Sequence, residues 1–156
     1  MVEEVQEPET GGAATPFNME EWPFYWLTRF TGRYLLQMEL ALKPLGLDIP
    51  RWRVLMTLRN RDTLSVSEIA DHAIVKLPTM TKIVKRMQAD NLVDCRQSAA
   101  DGRVTEVTLT PVGVIAGRQA WDAANRIYAR AFEDLSKKDV ATLNKLLRTI
   151  TRSLAG

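Results

Sequence analysis

The chain has few of the residues on which enzymes and metal sites depend. Its 156 residues include one histidine, His72, and one cysteine, Cys95. Neither has a second ligand close to it in the sequence, so a metal site lacks donors. A pair formed by a nucleophile and a general base lacks one of its members in the same way. Phosphate-binding glycine loops and the common hydrolase and metalloprotease motifs are also missing. We therefore predict that the protein is not an enzyme, with no catalytic residues, metal or cofactor.

Long apolar runs and a disulfide pair are absent as well. No apolar run reaches the roughly 18 residues that a membrane-spanning helix needs, and the N-terminus carries acids where a signal peptide carries bases. A single cysteine has no internal disulfide partner, in agreement with a reducing compartment. We expect one domain, a cytoplasmic location and no membrane partner.

Charge is unevenly distributed along the chain. Residues 1–21 contain six glutamates and no base, so the rest carries +8 although the whole chain carries +2. Residues 1–17 also hold glycines and prolines, and we expect them to form a flexible acidic arm. Residues 76–86 hold four bases and no acid. Such a run favours an anionic partner such as a phosphate backbone; a solvated helix face is the alternative.

Capping signals and helical periodicity predict three helices in the first half of the chain. The first runs from Asn18 to about Lys43, and Asp48 caps the second. Ser65 and Glu68 have the spacing of a capping box, which starts a short third helix. The apolar stripe of the second helix consists of Trp52, Leu55, Met56 and Leu58.

A basic helix and a hairpin are predicted next. Pro78 suits the first turn of a fourth helix, and Asn91 ends it because asparagine accepts the left-handed conformation. Residues 92–97 and 105–110 alternate with period two on either side of a run of turn formers, which predicts a β-hairpin. The inward residues of the fourth helix are expected to be Met80, Ile83, Val84 and Met87.

Two helices are predicted after the hairpin. Thr110 and Pro111 start a fifth helix that runs to about Leu135, and Ser136 with Asp139 caps a sixth. The apolar stripe of the fifth consists of Trp121, Ala124, Tyr128, Ala131 and Leu135. The sixth has a narrow seam, which suits another helix, formed by Val140, Leu143, Leu147, Ile150 and Leu154.

A short helix, a turn, a basic helix and a hairpin in this order are typical of a winged helix-turn-helix. The DNA major groove admits one helix, whose outer face needs short polar and basic side chains while its inner face stays apolar. We assign contacts with DNA phosphates to Lys76, Lys82, Lys85 and Arg96. Contacts with base edges are assigned to Thr79, Thr81 and Arg86. The full set of predicted DNA-binding residues is Ser65, Ser67, Lys76, Pro78, Thr79, Thr81, Lys82, Lys85, Arg86, Arg96, Asp101 and Arg103.

The hairpin tip places Arg103 two residues after Asp101. A narrow minor groove concentrates negative potential and favours an inserted arginine, which is the role we assign to Arg103. Asp101 is expected to hold the guanidinium by a charge-assisted hydrogen bond. The alternative is an ordinary Asp-Gly hairpin turn with an exposed arginine.

The wing has a specific residue pattern, formed by Asp101, Arg103, Leu109, Thr110 and Gly113. Together with the segments from Gly46 onward, it resembles the MarR family of winged-helix transcriptional regulators, and the flanking helices match in length and order. The resemblance implies a mainly α fold with a small β-wing. It also implies a homodimer whose N- and C-terminal helices interlock, bound to a pseudo-palindromic DNA operator.

Three residues depart from the family pattern. Gly102 stands where many relatives have a second wing arginine, so one DNA contact is expected to be missing. Leu77 stands before the helix proline where serine is common, so a side-chain cap is lost. Asn91 replaces a usual glycine, a mild change given its left-handed tolerance.

A stripe on the first helix suggests a ligand site. Trp22, Trp26, Arg29 and Arg33 lie at i, i+4, i+7 and i+11. The resemblance implies an effector pocket between the first, second and fifth helices, to which Arg51 and Trp52 also contribute. Indole stacking and guanidinium pairing suit an aromatic acid or its acyl thioester. Alternatively, the tryptophans are dimer core and the arginines make ion pairs between subunits or face solvent.

These observations predict a homodimeric, sequence-specific DNA-binding repressor that a small anionic aromatic effector releases from its operator. Residues 18–47 are assigned to dimerisation and ligand binding, 48–110 to the winged helix-turn-helix, and 111–156 to dimerisation. Two other classes stay open. One is a regulator that senses oxidation through Cys95 or needs no ligand, and the other is a protein-interaction module on a winged-helix scaffold.

Overall fold

Six α-helices and a small antiparallel sheet make up residues 17–155 in a computed structural model of the chain. The elements are α1 (Pro23–Leu42), α2 (Ile49–Arg59), β1 (Leu64–Ser65), α3 (Val66–Ala73), α4 (Leu77–Ala89), β2 (Val93–Gln97), β3 (Thr105–Leu109), α5 (Pro111–Ala131) and α6 (Lys137–Leu154). The predicted mainly α fold with a β-wing is confirmed. Apart from Phe17, the predicted arm lies outside the described residues. None of the helices between residues 17 and 155 combines the length and hydropathy of a membrane span.

Local capping signals are confirmed at four helices. Asp48 caps α2 by accepting a hydrogen bond from the backbone of Arg51. The α3 and α6 capping boxes form at Ser65 and Ser136, and Thr110 caps α5. Each cap satisfies backbone N–H groups that have no partner inside the helix.

Two predicted helix boundaries are wrong. Asn18 caps a separate 3₁₀ turn, Met19–Glu21, and α1 begins only at Pro23. The fifth helix ends at Ala131 rather than near Leu135, because the chain turns there before the α6 capping box. The apolar spacing continues through this turn, so periodicity alone does not reveal it.

The strands of the predicted hairpin are confirmed, and β1 was missed. The sheet order is β1-β3-β2, with Leu64 opposite Val107 and Cys95 opposite the same residue on the other side. A strand of two residues is too short to show alternation in a sequence. Its pairing with β3 places the start of α3 beside the wing.

The predicted inner face of α4 is confirmed at Met80, Val84 and Met87, which are buried, while Ile83 is partly buried. Of the apolar stripe predicted on α5, Trp121 and Ala124 are partly buried against the core, while Tyr128 lies half exposed. The buried side of α5 consists of the small residues Gly113, Gly117, Ala120 and Ala123. These small side chains bring α5 close to α1 and α2.

The predicted seam of the sixth helix is only partly covered, with Val140, Leu143 and Leu147 partly buried. No residue of α6 is buried within the chain, and Leu146, Ile150 and Leu154 are exposed. An amphipathic helix is stabilised mainly by burying its apolar face. The seam therefore needs a partner surface outside the described chain.

The turn between α3 and α4 is strained. Ile74 has a φ of +52° and its side chain is 89% exposed. A β-branched residue in the left-handed region is unusual because its Cβ crowds the backbone. Asn91 has a φ of +57°, as predicted, and tolerates that conformation better.

Replacing Gly113 tests the tight contact between α5 and the backbone of Leu92. In Gly113→Ala the new Cβ lies 1.9 Å from the carbonyl oxygen of Leu92. We expect a loss of about 3 kcal/mol in the free energy of unfolding, measured with denaturant, because the backbone must move apart. Gly117→Ala is the control, since its Cβ meets Leu55 at an ordinary 3.9 Å and Ala favours a helix by up to about 1 kcal/mol. Equal effects of the two variants would contradict this explanation.

Candidate functional site

The exposed face of α4 carries five of the twelve predicted DNA-binding residues. Pro78, Thr79, Lys82, Lys85 and Arg86 are exposed, opposite the buried methionines. Thr81 is half-buried, and its hydroxyl donates to the backbone carbonyl of Leu77 at 2.9 Å. The cations of the helix thus face outward, while its methionines and Val84 pack into the core.

The start of α3 lies beside this face. The Ser65 hydroxyl accepts from the backbone N–H of Glu68, and the Glu68 carboxylate accepts from the backbone N–H of Ser65 at 2.8 Å. The hydrogen bond from the Ser65 backbone, and a second from the Ser65 hydroxyl to the same carboxylate at 2.9 Å, lower the pKa of Glu68. Ser67 is exposed, with its hydroxyl 3.1 Å from that of Ser65. Ser65 is therefore already engaged in a helix cap, and Ser67 is the freer of the two predicted contacts.

The contact expected between the wing arginine and aspartate is present. Arg103 donates from Nε to Oδ1 of Asp101 at 3.1 Å and from Nη2 to Oδ2 at 3.2 Å. These side-chain hydrogen bonds, with a backbone one, lower the pKa of Asp101. The Arg103 side chain is nevertheless 92% exposed. Asp101 thus orients a guanidinium that projects from the protein surface.

A groove of about 310 Å³ separates α4 from the wing. It brings together five of the predicted DNA-binding residues: Ser65, Ser67, Thr81, Lys85 and Arg103. The others lie outside it, and Arg96 is exposed on β2 opposite Glu106 on β3. Residues of α3, α4 and the wing therefore line one groove.

A second cavity, of about 360 Å³, lies among α1, α2, α5 and α6. Its aromatic lining consists of Phe30, Tyr34, Trp52, Trp121, Tyr128 and Phe132. The amides of Asn125 and Asn144 also line it. Pockets of this size, mainly apolar with a few polar groups, are typical of small-molecule sites.

Of the six residues predicted to bind ligand, only Trp52 lines this cavity. Trp22, Trp26, Arg29 and Arg33 lie on or next to the exposed side of α1. There the Trp26 indole donates to a backbone carbonyl at 2.7 Å, and Arg29 lies over the Tyr25 ring. The aromatic residues missed on α1, Phe30 and Tyr34, are four apart, a spacing that was available in the sequence.

Arg51 lies in an ion-pair network rather than in the cavity. Its guanidinium donates to Asp90 at 2.5 Å and to Asp48 at 3.3 Å, and its side chain is 18% exposed. Asp90 follows the last residue of α4. Arg51 therefore joins the start of α2 to the end of α4, a link that the sequence did not reveal because the partners are 39 residues apart.

The sequence was compared with protein-family models and with known proteins. The sequence model of the MarR family matches residues 47–105, from just before α2 to the first residue of β3. The HTH-type transcriptional repressor IacR of Pseudomonas putida is 44% identical over 142 residues, which cover 91% of this chain and 85% of IacR. The chain belongs to the MarR family.

Solved structures agree with this MarR-family fold. A MarR-family regulator from Silicibacter pomeroyi is 28% identical over 85% of this chain and 92% of its own, with a TM-score of 0.75. BpsR of Bordetella bronchiseptica, whose DNA binding is regulated by 6-hydroxynicotinic acid, is 23% identical over 88% of this chain and 98% of its own, with a TM-score of 0.78. CouR of Rhodococcus jostii RHA1, solved with p-coumaroyl-CoA, is 19% identical over 85% of this chain and 94% of its own, with a TM-score of 0.77.

The protein is thus a MarR-family transcriptional repressor, and its relatives are regulators rather than enzymes. The signature glycine of its wing pattern now has a physical reason. Gly113 lies against the Leu92 carbonyl, where no side chain fits. Glycine is therefore needed at this position because α5 packs directly against the backbone at the start of β2.

Cys95 lies on β2 in the floor of the groove between α4 and the wing. Burial, and to a lesser extent the Asp94 carboxylate, raise the pKa of its thiol. Redox-sensing cysteines instead have lowered pKa values, because the thiolate is the reactive form. This environment does not favour the oxidation-sensing alternative.

The reactivity of Cys95 tests this description. We expect its reaction with an aromatic disulfide reagent at pH 8 to be slower in the folded protein than in the same protein unfolded in denaturant. Both burial and the raised pKa reduce the exposed thiolate, so the rate is expected to keep rising at more alkaline pH. The absorbance of the released thiol measures it, and a faster reaction in the folded state would contradict the assignment.

Proposed function

We propose that the protein acts as a homodimer that binds a pseudo-palindromic operator and is released from it by a small aromatic effector. The observation that carries the proposal is the pairing of a basic helix and wing with an aromatic cavity in one small fold. In this division, residues 48–110 read DNA, and residues 18–47 and 111–156 form the dimer and the effector site.

Dimerisation is supported by the apolar surfaces that the single chain leaves uncovered. The α6 seam is exposed at Ile150 and Leu154, and α1 is exposed at Trp26 and Phe30. Exposed apolar area of this extent marks an interaction surface. A second copy of the chain offers the same helices, so the interface is self-complementary.

DNA recognition is assigned to the surface formed by α3, α4 and the wing. Lys76, Lys82, Lys85 and Arg96 meet phosphates, while Thr79, Thr81 and Arg86 approach base edges. Ser65, Ser67 and Pro78 flank these contacts. Arg103 enters the minor groove in an orientation that Asp101 holds.

Arg103→Ala is expected to weaken binding to the specific operator by about 1–3 kcal/mol, because the minor-groove contact is lost. The measurement is a titration, at fixed salt, of a duplex selected from a random library with the parent protein. Arg126→Ala is the matched control, since it removes an exposed arginine from α5. An unchanged affinity of the Arg103 variant would refute the wing assignment.

The effector is an aromatic acid or its acyl thioester whose ring lies among the cavity aromatics. BpsR and CouR support this class, since 6-hydroxynicotinic acid regulates DNA binding by the first and p-coumaroyl-CoA binds the second. The predicted arginine pairing is not part of this cavity, because Arg29, Arg33 and Arg51 do not line it. The carboxylate or thioester carbonyl therefore meets the amides of Asn125 and Asn144, which supply N–H donors.

Release is expected to act through geometry. Two recognition helices must meet half-sites about 34 Å apart, so a ligand that changes their spacing weakens binding without touching DNA. Trp52 lines the cavity, and the next residue, Arg51, is paired with Asp90 at the end of α4. Displacement of α2 by an effector is thereby carried to the recognition helix.

Filling the cavity tests the effector site. Ala124→Trp places a large ring in the cavity and is expected to abolish both effector binding and effector-induced release, while operator affinity stays within about two-fold. Binding is followed by isothermal titration calorimetry, since both variants add a tryptophan, with 6-hydroxynicotinate, p-coumarate and p-coumaroyl-CoA as probes. Ala129→Trp, on an exposed part of the same helix, is the control.

The effector proposal fails if none of these probes binds or changes the operator affinity of the parent protein. The assignment to this cavity fails separately if a probe releases the parent protein and the Ala124 variant equally well.

A further inference from the structure

Two large apolar side chains are exposed in the DNA-binding region. Between residues 41 and 111, all of them described, Ile74 is 89% exposed and Leu77 is 49% exposed, and the other large hydrophobic side chains are buried or partly buried. The two residues flank the N-terminus of α4. A single exposed apolar side chain is common on a protein surface, so the place of each of these two residues in the fold decides what it contacts.

Leu77 and Ile74 lie on different sides of the turn. Leu77 is the first residue of α4 and lines the groove between α4 and the wing, together with Thr81, Lys85 and Arg103. Ile74 borders a separate hollow on the α2 side. Only Leu77 therefore belongs to the surface that faces DNA under the proposed function.

The fold gains little from Leu77. Lys76 at the N-cap makes no side-chain hydrogen bond, and the core side of α4 is filled by Met80, Val84 and Met87. The Leu77 carbonyl accepts from Thr81, but this bond involves only the backbone of residue 77. Its side chain can therefore be shortened without opening the core.

The chemistry of the major groove identifies the partner of such a side chain. Leucine makes no hydrogen bond, and the C5-methyl group of thymine is the apolar group that base edges present in this groove. Residues at the N-terminus of a recognition helix are those that contact base edges. We infer that Leu77 is a specificity-determining residue that contacts a thymine methyl group in each operator half-site.

This inference rests on the proposed binding of DNA by α4, and selection from a random duplex library separates the two. The parent protein is expected to enrich a two-fold motif with thymine at one fixed position in each half-site. Leu77→Ala is expected to enrich the same motif without that thymine. Ile74→Ala is the control and is expected to keep the thymine, because its side chain lies outside the groove.

Deoxyuridine supplies a second measurement, because it lacks the methyl group and keeps the base-pairing edge. Replacing that thymine is expected to weaken binding by the parent protein about four-fold for each half-site, the factor that corresponds to one buried methyl group. Leu77→Ala is expected to bind the two duplexes equally.

The outcomes distinguish DNA recognition by α4 from the specific role of Leu77. If the parent protein enriches no motif, the proposed DNA recognition is wrong, and the inference is wrong with it. If a motif appears but Leu77→Ala keeps the thymine, or deoxyuridine weakens parent and variant alike, only the role of Leu77 is overturned.

Discussion

A buried junction around Thr110 joins α4 and the wing to the start of α5. The Thr110 hydroxyl donates to the carbonyl of Asn91 at 2.6 Å and accepts from the N–H of Gly113 at 2.9 Å, while its own N–H donates to Leu92 at 3.2 Å. With 4% exposure it is a buried polar side chain whose hydrogen bonds are satisfied. The end of α4, the start of β2, the end of β3 and the start of α5 meet at this residue.

This junction explains why the wing and the recognition helix form one unit. Gly113 lets α5 approach the Leu92 carbonyl, and Asn91 takes the left-handed turn that directs the chain from α4 into β2. Arg51 adds a second tie, from α2 to Asp90 at the end of α4. Both ties reach the same end of α4, and both come from helices that line the aromatic cavity. Under the proposed function, the ion pair from Arg51 to Asp90 is the contact through which a displaced α2 would reach the end of α4.

Sequence reasoning succeeded wherever the signal is local. The caps at Asp48, Ser65 and Ser136 were predictable because a side chain satisfies backbone groups within three residues of itself. The contact of Asp101 with Arg103 was predictable for the same reason. Prediction from the sequence failed where a contact joins distant segments. The pairing of β1 with β3, the Arg51 network and most of the cavity lining leave no trace at a fixed spacing in the sequence.

By itself the sequence determined the order of the helices, the basic outer face of α4, the wing and the family to which the chain belongs, because periodicity, caps and short motifs act between neighbouring residues. Only the tertiary structure decided which face of α5 is buried, that Arg51 pairs with Asp90 rather than lining the cavity, and which aromatic residues surround that cavity. Helical periodicity shows that a face is apolar. Whether the face meets the core, a ligand or a second copy depends on where the other helices lie, and packing between distant segments sets their positions.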